Sequence, residues 1–243
     1  MLAQHLPATA LLILSAFIVQ QLIALPLGAL AAVYRQSLFD GAFSIFSYTL
    51  LAIPAFVLGI ILIAALGVDA GGFPTGQSAS VTLPVLGTAA WFHLLIHSPA
   101  LVLGDALRHL VMPAMSLALV GIALDSRFMR ASMLSVLDEE YIRTARAKGI
   151  RPAKIIFKHA FRNAVPPIIT NVALYVPILI GSAMVVERIF QYNGIGYLFA
   201  QTIQAADYPV VQSILLLLTA VVLIANLLAD IAYRVADPRI RHG

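Results

Sequence analysis

Apolar residues fall in long, nearly unbroken runs separated by short polar intervals. Five runs approach the roughly 20 residues that a membrane-spanning helix needs. They are Ala8–Val33 and Gly41–Val68, both uncharged, a shorter run at about Leu110–Leu124, then Val165–Val186 and Val210–Tyr233. His109 and Asp125 flank the third run and can sit at its two interfaces. Pro26, Pro54, Pro113 and Pro177 lie in or near these runs. Proline is tolerated there because neighbouring helices and local backbone adjustment satisfy the freed carbonyls. The runs are too long and too uniformly apolar for barrel strands, which would alternate in segments of about ten residues. The pattern predicts an all-α, polytopic membrane helix bundle with about five transmembrane helices, forming a single transmembrane domain over 1–243.

Val81–Leu103 is ambiguous. It is apolar, but it carries Pro84, His93, His97 and Pro99 and follows the loop-like "DAGGFPTGQSAS". Charge arbitrates. If this stretch does not span, one membrane face receives all of the 15 Lys and Arg except Arg108 and Arg188. If it spans, Arg35 falls opposite the basic block Arg127–Arg162. The positive-inside rule favours the first arrangement, with Val81–Leu103 external or interfacial. The expected topology has an external N-terminus, a short cytoplasmic turn at Tyr34–Asp40 and an external loop at Asp69–Arg108. A large cytoplasmic loop at Arg127–Ala164, a second external loop at Glu187–Pro209 and a cytoplasmic C-terminus follow.

Composition agrees: 61% of residues are hydrophobic and 11% charged, with mean hydropathy +0.95. A soluble domain is about half apolar and about a quarter charged. The absence of cysteine excludes disulfides, thiolate metal sites and cysteine nucleophiles. No GxxxxGK[ST], HExxH or GxSxG occurs, so neither ATP hydrolysis nor a zinc or serine hydrolase centre is expected in this chain. His93 and His97 are one helical turn apart but lack a third ligand. No catalytic residue and no metal site is expected. Asn171 and Asn226 suit interhelical hydrogen bonds, and Asp230 suits a pair with Arg234.

The cytoplasmic loop carries the strongest signal. Glu139–Asn163 holds seven Lys and Arg, each costing roughly 2.5–3.5 kcal/mol near the centre of a membrane helix, so it cannot cross the bilayer. It nevertheless has the punctuation of folded helices. Asp138 suits an N-cap, and Glu139 and Glu140 suit the first turn. Arg143, Arg146 and Lys148 load the last turns, and Gly149 suits the left-handed position after a helix. Pro152 suits the first turn of a second helix, whose apolar side would hold Ile155, Ile156, Ala160 and Phe161. Such a loop can orient the chain and touch anionic lipid, or it can dock a cytoplasmic partner. A nucleic-acid patch has no soluble scaffold here.

"YIRTARAKGIRPAKIIFKHAFRNAVPPIIT" (Tyr141–Thr170) resembles the EAA loop of ABC importer permeases, most closely the dipeptide/oligopeptide/nickel group. Gly149 falls on the motif glycine, and Arg143, Thr144 and Ala145 fall on the EAA positions. Arg143 replaces the acidic residue and Arg162 the final proline, a variant typical of the peptide-permease group. "LPATALLIL", "PLGALAAV", "RHLVMPAMSLAL", "ERIFQYNGIGYLF", "ADYPVVQ" and "DPRIR" resemble the same family in the same order. Members of that family usually begin with one more transmembrane helix and an external segment before "LPAT", so the resemblance implies that this sequence starts after them.

The resemblance implies a type I ABC importer-like fold and a pore subunit in a bacterial inner membrane, translocating peptides or a related small solute. Implied partners are a second homologous permease, two cytoplasmic ABC ATPase subunits that carry ATP and Mg, an external solute-binding protein and membrane lipid. No cofactor is implied in the chain itself. The implied ATPase-coupling residues are Arg143, Thr144, Ala145, Arg146, Ala147, Lys148 and Gly149. Glu187, Tyr192, Asn193 and Gly194 read either as an aromatic belt with turns or as an external gate or binding-protein contact. The rival reading is a secondary transporter or channel subunit, which calls for ionisable residues inside the spans; the sequence places none there. A membrane-embedded enzyme would need a paired catalytic constellation within the spans, and none is visible.

Overall fold

The computed structural model describes residues 2–80, 83, 84 and 86–236, which form helices joined by turns and loops with no strand among them. The elements in order are α1 (Leu2–Val33), α2 (Leu38–Ala52), α3 (Ala55–Leu62), α4 (Ala89–His97), α5 (Pro99–Leu137), α6 (Glu140–Ala147), α7 (Pro152–Lys154), α8 (Arg162–Ala164), α9 (Pro166–Ile189), α10 (Ile195–Gln204) and α11 (Tyr208–Ala236). A π-helical turn, Ile63–Asp69, extends α3, and another, Ile155–Phe161, joins α7 to α8. Among the described residues three helices are long and apolar enough to cross a membrane: α1, α5 and the Tyr208–Leu228 part of α11. The helices on either side of Pro54 make a fourth if taken as one bent span. α9, with 24 residues, is also longer than the hydrocarbon core requires at about 1.5 Å per residue.

Two expectations about spans change. Gly41–Val68 is not one straight helix: Pro54, with φ −59° and ψ 145°, stops α2 and caps α3. The residue before a proline is driven out of the helical region, and here Ile53 marks the break. The third span is not a short helix but the interior of α5, which has 39 residues and runs through Pro113. Its polar ends extend the helix into what the sequence assigned to loops. Among its described residues Val81–Leu103 holds the short α4, capped by the Thr88 hydroxyl accepting from the Trp91 amide, and the first turn of α5, and neither piece within this stretch is as long as a span requires. The Asp230 and Arg234 side chains and the "DPRIR" stretch lie outside what the structure describes.

The chain divides into two compact units. The first comprises α1 up to Val19, Ile53–Val120 and Pro177–Val221. Within it the long connection after α3 is pinned to α5: His109 bonds the carbonyls of Gly76 and Gln77, and Asp105 accepts from Ser80. His109 is thus buried within this unit. The second unit comprises Gln20–Ala52, Gly121–Val176 and α11 from Val222. Its core joins Ala29 and Ala32 of α1, Met129 and Met133 of α5, and Ile168 of α9 to the loop residues Ile142, Ala145, Ile155, Ala160 and Ala164. Glycine lets α1 and α5 approach closely here. A Cβ on Gly28 would lie 2.2 Å from the Ser126 carbonyl oxygen, and one on Gly121 2.0 Å from Gln20 Oε1. Small residues at such contacts are the usual means by which membrane helices pack.

Candidate functional site

The basic loop folds as the sequence pattern predicts, as two helical pieces around a glycine. α6 ends in a Schellman motif. The Gly149 amide donates to the Arg146 carbonyl and the Ile150 amide to the Ala145 carbonyl, at 3.0 and 3.3 Å. Gly149 has φ +72°, the left-handed conformation that glycine adopts without penalty. Ile150 then packs back on the core that holds Ala145, which is the apolar contact that accompanies this motif. Pro152 opens α7.

At the start of α6 one expectation is corrected. The capping position is Glu139, with extended backbone and no side-chain cap bond. Asp138 instead pairs with Arg35 at 3.5 Å, an exposed pair of small energetic weight. Three other bonds seat the loop. The Ser132 hydroxyl donates to the Ala164 carbonyl at 2.8 Å, Asn163 donates to the Tyr141 hydroxyl at 2.9 Å, and Thr144 back-bonds to the Glu140 carbonyl.

α6 is therefore two-faced. Ile142 and Ala145, three residues apart, are buried in the second unit's core. Arg143, Thr144, Arg146, Ala147, Lys148 and Gly149 are exposed. Of the seven residues singled out from the motif, Ala145 alone faces inward and anchors the helix. The other six form a continuous surface of three cations and small side chains. Ile155 and Ala160 are buried below, with Ile156 and Phe161 packed beside them, as the sequence predicts.

Glu187, Tyr192, Asn193 and Gly194 come together in the first unit, in a way their sequence did not suggest. Glu187, at the end of α9, is fully buried. Its Oε2 accepts from the Gly196 amide at 2.6 Å and the Tyr197 amide at 3.3 Å, the open donors at the start of α10. A carboxylate there satisfies the unpaired N–H groups and the helix dipole together. The Tyr192 amide donates to the Glu187 carbonyl, and the Ile195 amide to the Thr9 hydroxyl of α1. Space is short at Gly194: a Cβ there would clash with the Glu187 carboxylate, which would have to shift away from its amide partners. Tyr192 is also fully buried. Burial first, and then the Glu187 carboxylate beside it, push its phenol well above the usual tyrosine range, so it stays neutral. Asn193 accepts through its carbonyl from His5. Glu187 and Tyr192 thus hold α10 in place and offer no side chain to an external protein in this conformation; Gln191, Asn193 and Tyr197 line a polar surface pocket with Gln77 and Ser78–Ser80.

A buried polar cluster escaped the sequence reading. Asp125, expected at an interface, is 1% exposed and accepts from Gln20 at 2.6 Å and from Gln21 of α1. The apolar run that ends at Leu124 gives no sign of this, because the glutamines that cover Asp125 lie about a hundred residues away. Asn171 bonds the Pro167 carbonyl of its own helix rather than another helix. His93 and His97 stack at 4.3 Å between centroids, and among the described residues no group of three possible ligands forms.

The helical fold matches, at TM-score 0.70, a chain of the MetNI methionine ABC transporter in an inward-facing conformation. The match covers 95% of this chain and 93% of that one, at 17% identity. The architecture is that of a type I ABC importer permease. Residues 24–242 match the family described as binding-protein-dependent transport system inner membrane component, and the chain belongs to that family. Its relatives include the oligopeptide transport system permease protein AppB of Bacillus subtilis, 40% identical over 98% of this chain and 70% of that protein. Another is the di/tripeptide transport system permease protein DppB of Pseudomonas aeruginosa, 39% identical over 97% of this chain and 71% of that protein. Family membership, not a lack of buried ionisable residues, is what sets the secondary-transporter reading aside, since Asp125 is buried. The chain is a multi-pass membrane permease that forms a transmembrane pore of an ABC importer.

Proposed function

We propose that the chain is one of two homologous pore subunits of an ATP-driven importer of peptides or related small solutes in a bacterial inner membrane, and that α6 couples it to a cytoplasmic ABC ATPase. ATP and Mg act on that ATPase, and an external binding protein delivers the solute. The peptide class rests on the relatives' names. The coupling rests on one observation: a short helix whose inner face is locked into the core by Ile142 and Ala145 presents Arg143, Thr144, Arg146, Ala147 and Lys148 outward. Force on such a helix passes to α1, α5 and α9 through packed side chains, which suits rigid-body motion between two arrangements. The small Thr144 and Ala147 allow close approach, and the three cations suit an acidic cleft rim.

The test compares two substitutions at Gly149. Asn and Asp both tolerate the left-handed backbone, and a new Cβ there meets nothing within 4 Å. The fold should survive both. Gly149→Asp, which adds a negative charge facing an acidic rim, should lose peptide uptake and ATPase co-purification, while Gly149→Asn keeps them. Normal uptake and co-purification in Gly149→Asp would sink the coupling role.

A further inference from the structure

In the second unit a cleft of about 320 Å³ opens against α2 and α5, lined by Phe43, Ser44, Tyr48, Leu124, Arg127, Phe128, Arg130 and Ala131. Its α5 side follows helical spacing from Leu124 through Arg127 and Phe128 to Ala131, so these four share one face. Two guanidinium groups enter it, in different electrostatic states. Arg130 is consumed by Asp40, with Nε and a terminal nitrogen 2.6 and 2.7 Å from the two carboxylate oxygens, a bidentate pair. Arg127 has no carboxylate partner among the described residues. It lies over the Tyr48 ring, 4.2 Å from the centroid, and donates to the Tyr48 hydroxyl at 3.1 Å. The cleft therefore carries one uncompensated positive charge.

Its depth matters. The apolar run of α5 ends at Leu124, and Arg127 is the first cation beyond it, which places the guanidinium at the cytoplasmic edge of the hydrocarbon under the positive-inside topology. Phe43 and Leu124 wall the cleft, and Phe128 and Tyr48 are 40% and 59% exposed. A site with one fixed cation and a hydroxyl at headgroup level, and aromatic and aliphatic walls beside them, matches a molecule with a phosphodiester joined to an acyl chain. Basic pockets between helices on the cytoplasmic side bind such headgroups.

We propose that this cleft binds an anionic phospholipid, with Arg127 and Tyr48 holding the phosphodiester and Phe43, Leu124 and Phe128 flanking the first part of an acyl chain. The Arg130–Asp40 pair fixes the α2–α5 spacing and leaves the charge of Arg127 for the lipid. The proposal does not depend on the coupling role of α6.

The experiment purifies the full chain with the subunits that accompany it from bilayers of mixed phosphatidylglycerol and phosphatidylethanolamine, and measures retained lipid by native mass spectrometry. The wild type should retain phosphatidylglycerol at least tenfold over its share of the bilayer. Arg127→Gln should abolish that enrichment and Arg127→Lys, which keeps the charge, should preserve most of it. Lys154→Gln, an exposed cation outside the cleft, should change nothing. Lipid retained in the bilayer ratio by the wild type overturns the proposal without recourse to any variant. So does equal enrichment in Arg127→Gln, or displacement by millimolar inorganic phosphate, which marks a free-anion site. A cysteine placed at Phe128, in a chain that has no other, gives the last arm: labelling by a lipid-soluble maleimide supports a lipid-facing cleft, and crosslinking to a second permease chain contradicts it.

Discussion

Gly149, Gly194 and Gly121 are glycines for three different reasons, and each yields a different expectation. At Gly149 the reason is the backbone alone, because φ is +72° and the space beyond is open. Gly149→Ala should therefore cost only about 1–2 kcal/mol, seen as a small fall in the thermal midpoint of the purified protein, with Asn costing less. At Gly194 the reason is the Glu187 carboxylate. Removing that carboxylate leaves the buried amides of Gly196 and Tyr197 unpaired, so Glu187→Ala should destabilise by about 1–3 kcal/mol. Gly194→Ala should destabilise too, but the double variant should fall well short of the sum, since the clash and the cap involve the same carboxylate. Additive losses in a double-mutant cycle would contradict this geometry. At Gly121 the reason is Gln20, which lies where a side chain would go; Gly121→Ala should push Gln20 off Asp125 and cost about 1–3 kcal/mol by overpacking.

At the scale of elements, the α6–α7 loop was legible because its signals are local. A glycine after a cationic last turn, a proline three residues later and apolar residues at helical spacing all lie within one short stretch, and each corresponds to a feature of the structure. The N-cap was misassigned because Asp138 has a competing partner, Arg35, a hundred residues away in sequence. Glu187 was harder still. Its role depends on the turn at Gln191–Gly194 returning the chain so that α10 begins against the end of α9, and no local spacing encodes that return. The loop's dependence on its core can be measured. Ile142 is fully buried, and Ile142→Ala should cost about 2–5 kcal/mol. Hydrogen exchange should then rise across 140–164 first, with the α1 and α5 amides still protected. Uniform loss of protection across all helices would show that the loop is not a separate layer on that core.

At the scale of the molecule, five apolar runs gave the helix bundle its outline, and the charge distribution gave it an orientation. What hydropathy could not resolve is where polar residues hide. Asp125 terminates an apolar run in sequence, yet two glutamines of α1 bury it. Pro54 sits inside an apolar run and interrupts the helix there. The first is a tertiary outcome, set by which helix packs where; the second is local, since a proline drives the residue before it out of the helical region. The family supplies the architecture, and α6 presents an exposed face of three cations and small side chains.

That face allows one direct measurement. Single cysteines placed in turn at Arg143, Thr144, Arg146 and Ala147, in this otherwise cysteine-free chain, can be crosslinked in membranes that contain the whole importer. Partner chains are then identified by mass spectrometry, with and without ATP. The account predicts crosslinks to the ABC ATPase from these exposed positions, absent from a cysteine at the buried Ile142 and altered in yield by ATP. Crosslinks from none of the exposed positions, in membranes where uptake is intact, would contradict it.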